Sequence, residues 1–238
     1  MNLDVLPDRT GGAAENMALD FLLLQRYPQP AEARFRHYDW RAPAFTFGLS
    51  QKLEFVRGQL PPDGTFDLCR RPTGGGIVDH RDDWTWSLVI PRGHPLEELR
   101  ATQSYRVVHE AISAALRAQG VPAVTKQVVE NVPSEGGPAG VCFQRAEIFD
   151  VVHERTGEKI AGAAQKRNKH GLLFQGSIWR PAAGGDAVDW DRFHADYIAN
   201  LAGELKLPAA ETPWPEPNED EVSALIEHYS SPEWMEYH

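Results

Sequence analysis

The densest set of ligand-binding groups in the sequence lies in residues 70–80, which read Arg-Arg-Pro-Thr-Gly-Gly-Gly-Ile-Val-Asp-His. Three consecutive glycines serve a turn with unusual backbone angles, or a backbone that lies directly against a ligand. Strand-like sequence flanks the segment on both sides. The loop is neither a P-loop nor a G-x-G-x-x-G motif that opens a helix. It predicts a site that holds a flat or anionic group against cations and peptide N–H groups, with a plain hairpin turn as the alternative.

A second unusual segment begins at Lys159 and continues with small residues, which are Ala161, Gly162, Ala163 and Ala164. Small side chains leave one side of a strand nearly bare, so a ligand chain could lie against the backbone there. The lysine ammonium would then reach the polar end of that ligand. The alternative is an exposed edge lysine beside a close packing contact.

Composition and charge narrow the class of protein. The chain has 238 residues, with 42% hydrophobic and 24% charged residues, which is ordinary for a water-soluble globular protein. It contains no apolar run of the roughly 20 residues that span a bilayer, and its first residues lack the pattern of a secretion signal. We therefore expect a cytoplasmic protein with no membrane association.

The formal net charge of −10 argues against nonspecific binding to nucleic acid or to anionic membranes. Basic residues nevertheless cluster at Arg70 and Arg71 and again in residues 166–170. The second cluster is typical of a solvated hairpin tip, but in an acidic protein both clusters could also guide an acidic partner to one face.

Cysteine and histidine spacing gives no metal motif. The two cysteines, Cys69 and Cys142, are far apart in sequence, and no zinc-finger or H-E-x-x-H pattern occurs among the nine histidines. We expect no metal site, and we interpret Cys69 as a small buried apolar residue.

The periodicity of the chain predicts an α+β fold. Strand-like runs are separated and followed by amphipathic helices, without a regular βαβ repeat, which favours a mixed or largely antiparallel sheet flanked by helices. We predict a half-buried strand at residues 34–40, one long helix at 96–118 and a strand at 147–153. Residues 1–212 are expected to form the main domain, and residues 213–238 a C-terminal helical extension packed on the same domain.

Four segments, taken in order, resemble the lipoate–biotin protein ligase family. Residues 16–20 resemble its first helix, 70–80 its glycine-rich loop, 159–162 its K-x-x-G lysine strand and 170–177 the strand that follows. The resemblance spans roughly residues 10–180. It implies a biotin-synthetase-like or lipoate-ligase-like core with an acyl pocket between the glycine loop and the lysine strand. It also implies transfer of an octanoyl or lipoyl group to a lysine of a lipoyl-domain protein.

The family contains two chemistries, and Cys142 distinguishes them. Its position 17 residues before Lys159 resembles the arrangement in octanoyltransferases of Gram-positive type, which carry the acyl group as a cysteine thioester. Gly76 and the segment 144–147 depart from that pattern. An ATP-dependent lipoate-protein ligase is therefore the alternative, and a catalytically inactive acyl-binding or lipoyl-domain-binding protein is a third.

The resemblance assigns a role to each candidate site residue. Cys142 and Lys159 are the expected catalytic pair, in which a nearby ammonium favours the thiolate. The expected substrate-binding residues are Arg70, Arg71, Thr73, Gly74, Gly75, Gly76, His80, Gly162 and Ala163.

The resemblance also implies the partners. The expected donor is acyl carrier protein, and the acceptor is a lipoyl domain such as the glycine cleavage H protein or a 2-oxoacid dehydrogenase E2. The transferase needs no cofactor, whereas a ligase needs ATP and Mg.

Overall fold

A computed structural model describes residues 1–27, 31–62, 64–127 and 146–237. Its strands are β1 (Leu3–Gly11), β2 (Ala33–Trp40), β3 (Ala44–Phe47), β4 (Asp67–Arg70), β5 (Ile77–Asp79), β6 (Asp83–Pro91), β7 (Ala123–Thr125), β8 (Val151–His153), β9 (Lys159–Asn168), β10 (Gly171–Trp179) and β11 (Ala209–Glu211). Its helices are α1 (Ala13–Gln25), α2 (Leu53–Gln59), α3 (Pro95–Glu98), α4 (Ala101–Arg117), α5 (Arg180–Ala183), α6 (Trp190–Leu205), α7 (Glu219–Ser230) and α8 (Pro232–Met235), with a 3₁₀ turn at Gly185–Ala187.

The main sheet has eight strands in the order β11-β1-β2-β6-β10-β9-β8-β7. Strand β1 pairs in parallel with β11 and β2, and every other neighbouring pair is antiparallel. A smaller sheet, β4-β3-β5, carries the sequence on both sides of the glycine loop. The expected α+β fold with a mixed, largely antiparallel sheet is confirmed.

Helices cover both faces of the main sheet. Helices α4 and α6 pack on one face and bury the largest apolar cluster, which includes Trp84, Trp86 and Phe174. Helix α1 lies on the opposite face, where Leu23 and Leu24 pack against β10. Because the central strands are covered on both sides, polar as well as apolar side chains of β2 and β6 are buried.

Three predicted elements differ from the structure. Strand β2 is buried on both faces over residues 34–38, and not half-buried, because α1 and α6 cover opposite sides of it. The predicted long helix is divided, since Leu99 and Arg100 are extended between α3 and α4. Residues 147–150 form a turn, so that only the last part of the predicted strand at 147–153 is β-structure.

The C-terminal helices pack on the element that leads into the glycine loop. The side chain of Asn218 accepts hydrogen bonds from the amides of Asp220 and Glu221 and so caps α7. Helix α7 packs against α1, and Tyr229 and Trp234 join Met17 and Cys69 in one apolar cluster. Within the described residues, none of the helices has the length and apolar character to cross a membrane.

Candidate active site

A cleft of about 490 Å³, including its open mouth, lies between the main sheet and the glycine loop. Its lining comes from α1, both sheets and the loop: Met17, Tyr38, Trp40, Thr46, Arg71, Gly75, Val78, His80, Thr85, Lys159, Gly162, Ala163, Ala164, Gln175, Gly176 and Ser177. The glycine loop and the lysine strand form two walls of one cleft, as the family resemblance implied. Besides Lys159, the lining includes five of the expected substrate-binding residues: Arg71, Gly75, His80, Gly162 and Ala163.

The floor of the cleft runs across four neighbouring strands. Gly162 on β9 is opposite Ser177 on β10, which is opposite Thr85 on β6, which is opposite Tyr38 on β2. Directly paired residues of antiparallel strands share a face, and neighbouring strands are about 4.8 Å apart, so this row is about 14 Å long. The cleft can therefore hold a short extended chain whose polar end lies near Lys159.

Lys159 is held in a buried ion pair. Its Nζ lies 2.8 Å from Oδ2 of Asp150, and each side chain is 8% exposed. Gly162 makes room for this pair, because a Cβ built at this glycine would lie 2.6 Å from Cε and 2.7 Å from Nζ of Lys159. The glycine of the K-x-x-G motif therefore accommodates the lysine itself, and not only a ligand chain as its sequence indicated.

The turn before β8 places Asp150 beside the lysine. Phe149 adopts a left-handed conformation, with φ 66°, which few residues other than glycine adopt. The carbonyl of Phe149 accepts a 2.7 Å hydrogen bond from Nδ1 of buried His109, and Oδ2 of Asp150 accepts one from the amide of Glu147 at 2.7 Å. Burial lowers the pKa of His109, which keeps the ring neutral behind the ion pair.

Arg71 fixes the shape of the glycine loop. Its Nη2 donates 2.9 Å hydrogen bonds to the carbonyls of Gly74 and Gly76, and its Nη1 donates to Oγ1 of Thr46 at 2.8 Å. Gly75 has φ 90° and is exposed at the mouth of the cleft. The guanidinium of Arg71 thus holds the backbone of the loop in place, and the same side chain lines the cleft.

Thr73 connects the loop to the main sheet. Its hydroxyl donates a 2.7 Å hydrogen bond to Oε1 of Gln175, and Nε2 of Gln175 donates one of 2.7 Å to Oδ2 of Asp20. Asp20 is fully buried and lies 3.3 Å from Nε of equally buried Arg36. A chain of polar contacts therefore links the loop to α1 and β2 across the floor of the cleft.

His80 closes the end of the cleft that lies away from Lys159. Its ring stacks on Trp40 at 4.1 Å, and its Nδ1 donates a 2.7 Å hydrogen bond to Oδ2 of Asp83. Its Nε2 lies 2.6 Å from Oγ1 of Thr46, which already accepts from Arg71. In the neutral ring Nε2 then accepts from the threonine hydroxyl, so His80 is oriented from both sides.

Arg70 points away from the cleft. Its guanidinium donates to the carbonyls of Leu49 at 2.5 Å, Gln51 at 2.9 Å and Met235 at 2.7 Å. The structure thus gives Arg70 a place in the packing of the C-terminal helices, and we do not retain it among the proposed substrate-binding residues.

The two cysteines differ in what the structure shows. Cys142, the expected nucleophile, lies outside the described residues. Cys69 is buried beneath α7, and burial raises the pKa of its thiol to about 12, so it carries little thiolate near neutral pH. Cys69 is thus not a competing nucleophile.

Several polar residues of the site were not predicted from the sequence, among them Asp20, Asp150 and Gln175. A signal existed for Gln175, the single amide in the largely apolar run of β10. Asp150 gave none, because it lay in a stretch that was predicted to be strand. Among the described residues, no group of three or more His, Cys, Asp or Glu side chains could hold a metal ion.

A mixed sheet flanked by helices, with a cleft between a glycine loop and a lysine strand, defines the class of this protein, and a known family matches it. The model of the lipoyl protein ligase A/B catalytic domain matches residues 12–180. The chain belongs to this family.

Curated relatives carry the name Octanoyltransferase LipM. The protein of Bacillus cereus is 32% identical over 170 residues, which covers 69% of this chain and 60% of that protein. The Geobacillus kaustophilus protein is 34% identical, with the same coverage of 69% and 60%. These matches span about 60% of the relatives' length. The Macrococcus caseolyticus protein is 28% identical over 92% of this chain and 93% of its own length.

Solved structures share the fold. The crystal structure of lipoate-protein ligase A bound with ATP superposes with a TM-score of 0.73 at 20% identity, covering 99% of this chain and 98% of that one. The bipartite lipoate protein ligase of Thermoplasma acidophilum, studied with its E2 lipoyl domain, gives 0.71 at 20% identity, covering 100% and 98%. The predicted lipoate-ligase-like core is confirmed.

Proposed function

We propose that the protein is an octanoyltransferase that moves an octanoyl group from acyl carrier protein to a lysine of a lipoyl domain through a thioester at Cys142. The observation that carries the proposal is the buried Lys159–Asp150 pair in the wall of an acyl-sized cleft, in a chain whose curated relatives are named octanoyltransferases. The proposal places the protein in the cytoplasm, where acyl carrier protein is found.

The first half-reaction is a thioester exchange. The Cys142 thiolate attacks the carbonyl carbon of octanoyl-acyl carrier protein, a new carbon–sulfur bond forms, and the bond to the carrier sulfur breaks. The carrier thiolate leaves and takes up a proton. The octanoyl chain then lies along the floor of the cleft, past Ser177 and Thr85 towards Trp40 and His80.

The second half-reaction forms an amide. The neutral ε-amine of the acceptor lysine attacks the Cys142 thioester, the carbon–sulfur bond breaks, and Cys142 leaves as the thiolate. The amine gives one proton to Lys159, which gave its own proton to the carrier thiolate in the first step. Overall the acyl group moves from sulfur to nitrogen without oxidation, reduction or an added activating group.

Lys159 is the proposed acid/base of both steps. Its ammonium is fixed by Asp150 and by the space at Gly162, so it offers a positioned proton to a leaving thiolate and an electrostatic partner to Cys142. His109 and Phe149 act only through Asp150, as positioning residues.

An ATP-dependent ligase is the alternative, and the arginines of the glycine loop weigh against it. ATP would require cations or N–H groups aimed at its phosphates. Arg70 already donates to three main-chain carbonyls outside the cleft, and Arg71 to two carbonyls of the loop and a hydroxyl. The residues of the loop fit an acyl wall better than a phosphate site, and we derive no step through ATP.

One experiment separates the candidates. The protein is incubated with octanoyl-acyl carrier protein without ATP, and its intact mass is measured beside that of Cys142→Ala and of Cys69→Ala as the matched control. We expect an octanoyl adduct that is lost only in Cys142→Ala and is discharged by a lipoyl domain. Transfer from free octanoate that needs ATP and survives Cys142→Ala would establish the ligase. Binding of a lipoyl domain without either reaction would establish the inactive binding protein.

A further inference from the structure

Five cations surround the turn between β9 and β10, and we call this surface the basic tip. It consists of Arg92, Arg100, Lys166, Arg167 and Lys169, of which Lys166 is partly buried and the others are exposed. The chain as a whole has a net charge of −10, so a local excess of positive charge stands out against its surroundings.

Main-chain contacts hold the basic tip together. The amide of Arg92 donates a 3.1 Å hydrogen bond to the carbonyl of His170, and its Nη1 donates to the carbonyl of Lys169 at 3.3 Å. Nη2 of Arg167 donates to the carbonyl of Leu99 at 2.8 Å, which brings Arg100 to the same end of the sheet. The cations therefore sit on a defined framework of three chain segments.

The charges of the basic tip are not neutralised within the described part of the chain. None of its five side chains forms an ion pair with a carboxylate there. The neighbouring helix α3 contributes Glu97 and Glu98, two carboxylates against five cations. The surface keeps a net positive potential that an acidic partner would reduce.

The basic tip adjoins the floor of the cleft along one strand. Gly162, Ala164 and Lys166 lie opposite Ser177, Gln175 and Leu173, alternate residues of β10 whose side chains face the cleft and α1. Lys166 therefore lies on the same face of β9 as the two cleft residues, about 7 Å beyond Ala164 at the usual rise of a strand.

We propose that the basic tip docks the acyl donor, an acidic carrier protein, with Lys166 facing the phosphate ester of the carrier's prosthetic arm. This inference rests on the proposed function. The donor is favoured over the acceptor because only the donor brings an anionic phosphate along the arm that must enter the cleft. Lys166 is the cation of the basic tip that lies on the cleft face of β9. The remaining cations then meet carboxylates on the carrier surface.

The test compares two double charge reversals of equal size. Lys166→Glu/Lys169→Glu alters the basic tip, and Arg57→Glu/Lys206→Glu alters exposed cations on α2 and at the end of α6. For each protein, kcat/KM is measured with octanoyl-acyl carrier protein at low ionic strength and at about 0.15 M salt. Formation of the acyl-enzyme from octanoyl-pantetheine, which has neither phosphate nor protein, is followed in parallel by intact mass.

We expect the tip variant to lose about tenfold or more in kcat/KM with the carrier at low salt, and to lose most of the salt dependence. Its acylation by octanoyl-pantetheine and the carrier kinetics of the control variant should stay unchanged. The proposal would be overturned if the tip variant were impaired equally with octanoyl-acyl carrier protein and with octanoyl-pantetheine. It would also be overturned if both variants lost the same kcat/KM with the carrier, or if the tip variant kept its kcat/KM. So would a defect confined to discharge by the lipoyl domain, which would assign the surface to the acceptor. If the unaltered protein forms no adduct with the carrier, the proposed function fails first, and the docking inference falls with it.

Discussion

At the scale of single residues, the most informative position is Gly162. A methyl group there would overlap the Lys159 side chain and lie 3.1 Å from Oδ1 of Asp150. Both partners are buried, so the ion pair must shift to make room for the methyl group. The glycine therefore defines where the ammonium stands relative to the cleft.

We predict that Gly162→Ala lowers the rate of acyl-enzyme formation by about 10²-fold, since a misplacement of about 1 Å in a catalytic group has that effect. The fold should persist, because the change adds a single methyl group. Single-turnover acylation followed by mass spectrometry measures the effect. Gly203→Ala on α6 is the control, because its Cβ meets no atom within 4 Å. A Gly162→Ala enzyme as fast as the control would contradict the assigned place of Lys159.

At the scale of elements, the C-terminal helices act as a brace for the glycine loop. Nη2 of Arg70 donates to the carbonyl of Met235 at 2.7 Å, and Nε1 of Trp234 donates to the carbonyl of Arg70 at 2.9 Å. Indole Nε1 of Trp214, in the connector before α7, donates to the carbonyl of Pro7 at 2.8 Å. We propose on this basis that residues 213–238 form an extension of the domain made by residues 1–212.

Removing the contacts of Arg70 with the C-terminal helices should lower the stability of the fold more than it lowers kcat. Arg70→Met removes the donor for three carbonyls, and a buried polar group left without its partner costs about 1–3 kcal/mol. We predict a lower midpoint of urea unfolding for Arg70→Met, with kcat changed by less than about threefold at a temperature where the variant is folded. Arg71→Met should instead impair kcat/KM, because Arg71 shapes the wall of the cleft. Equal losses of kcat in the two variants would show that Arg70 belongs to the active site.

The succession of strands and helices could be predicted from the sequence because it depends on local patterns, whereas the two walls of the cleft were implied by the resemblance of residues 70–80 and 159–162 to a known family. Each of these signals, the run of glycines, the lysine strand and the apolar periodicity, is contained in a short stretch of sequence. The Arg70–Met235 contact joins residues that are 165 positions apart, and no local pattern encodes it. Asp150 was missed for another reason: left-handed Phe149 converts a stretch with strand-like composition into a turn.

At the scale of the whole molecule, two buried histidines and one half-buried histidine couple the fold to pH. Burial lowers the pKa of His94, His109 and His194. The unfolded chain then binds more protons than the native protein below the ordinary histidine pKa of about 6.5. Stability is therefore complete above that value and falls as the pH drops below it, by up to about 1.4 kcal/mol per pH unit for each proton taken up on unfolding.

His109 should dominate this effect because it is fully buried behind the Lys159–Asp150 pair. We predict that the urea midpoint falls between pH 7.5 and pH 5.5, and that it falls less in His109→Gln, whose amide can still donate to the carbonyl of Phe149. His170→Gln, at the β9–β10 turn, should keep the pH dependence of the unaltered protein. Urea titrations of the three proteins across this pH range measure the slopes. If His109→Gln and His170→Gln gave the same slope, His109 would not be the group that links protonation to unfolding, and acid sensitivity would have to arise at His94 or His194.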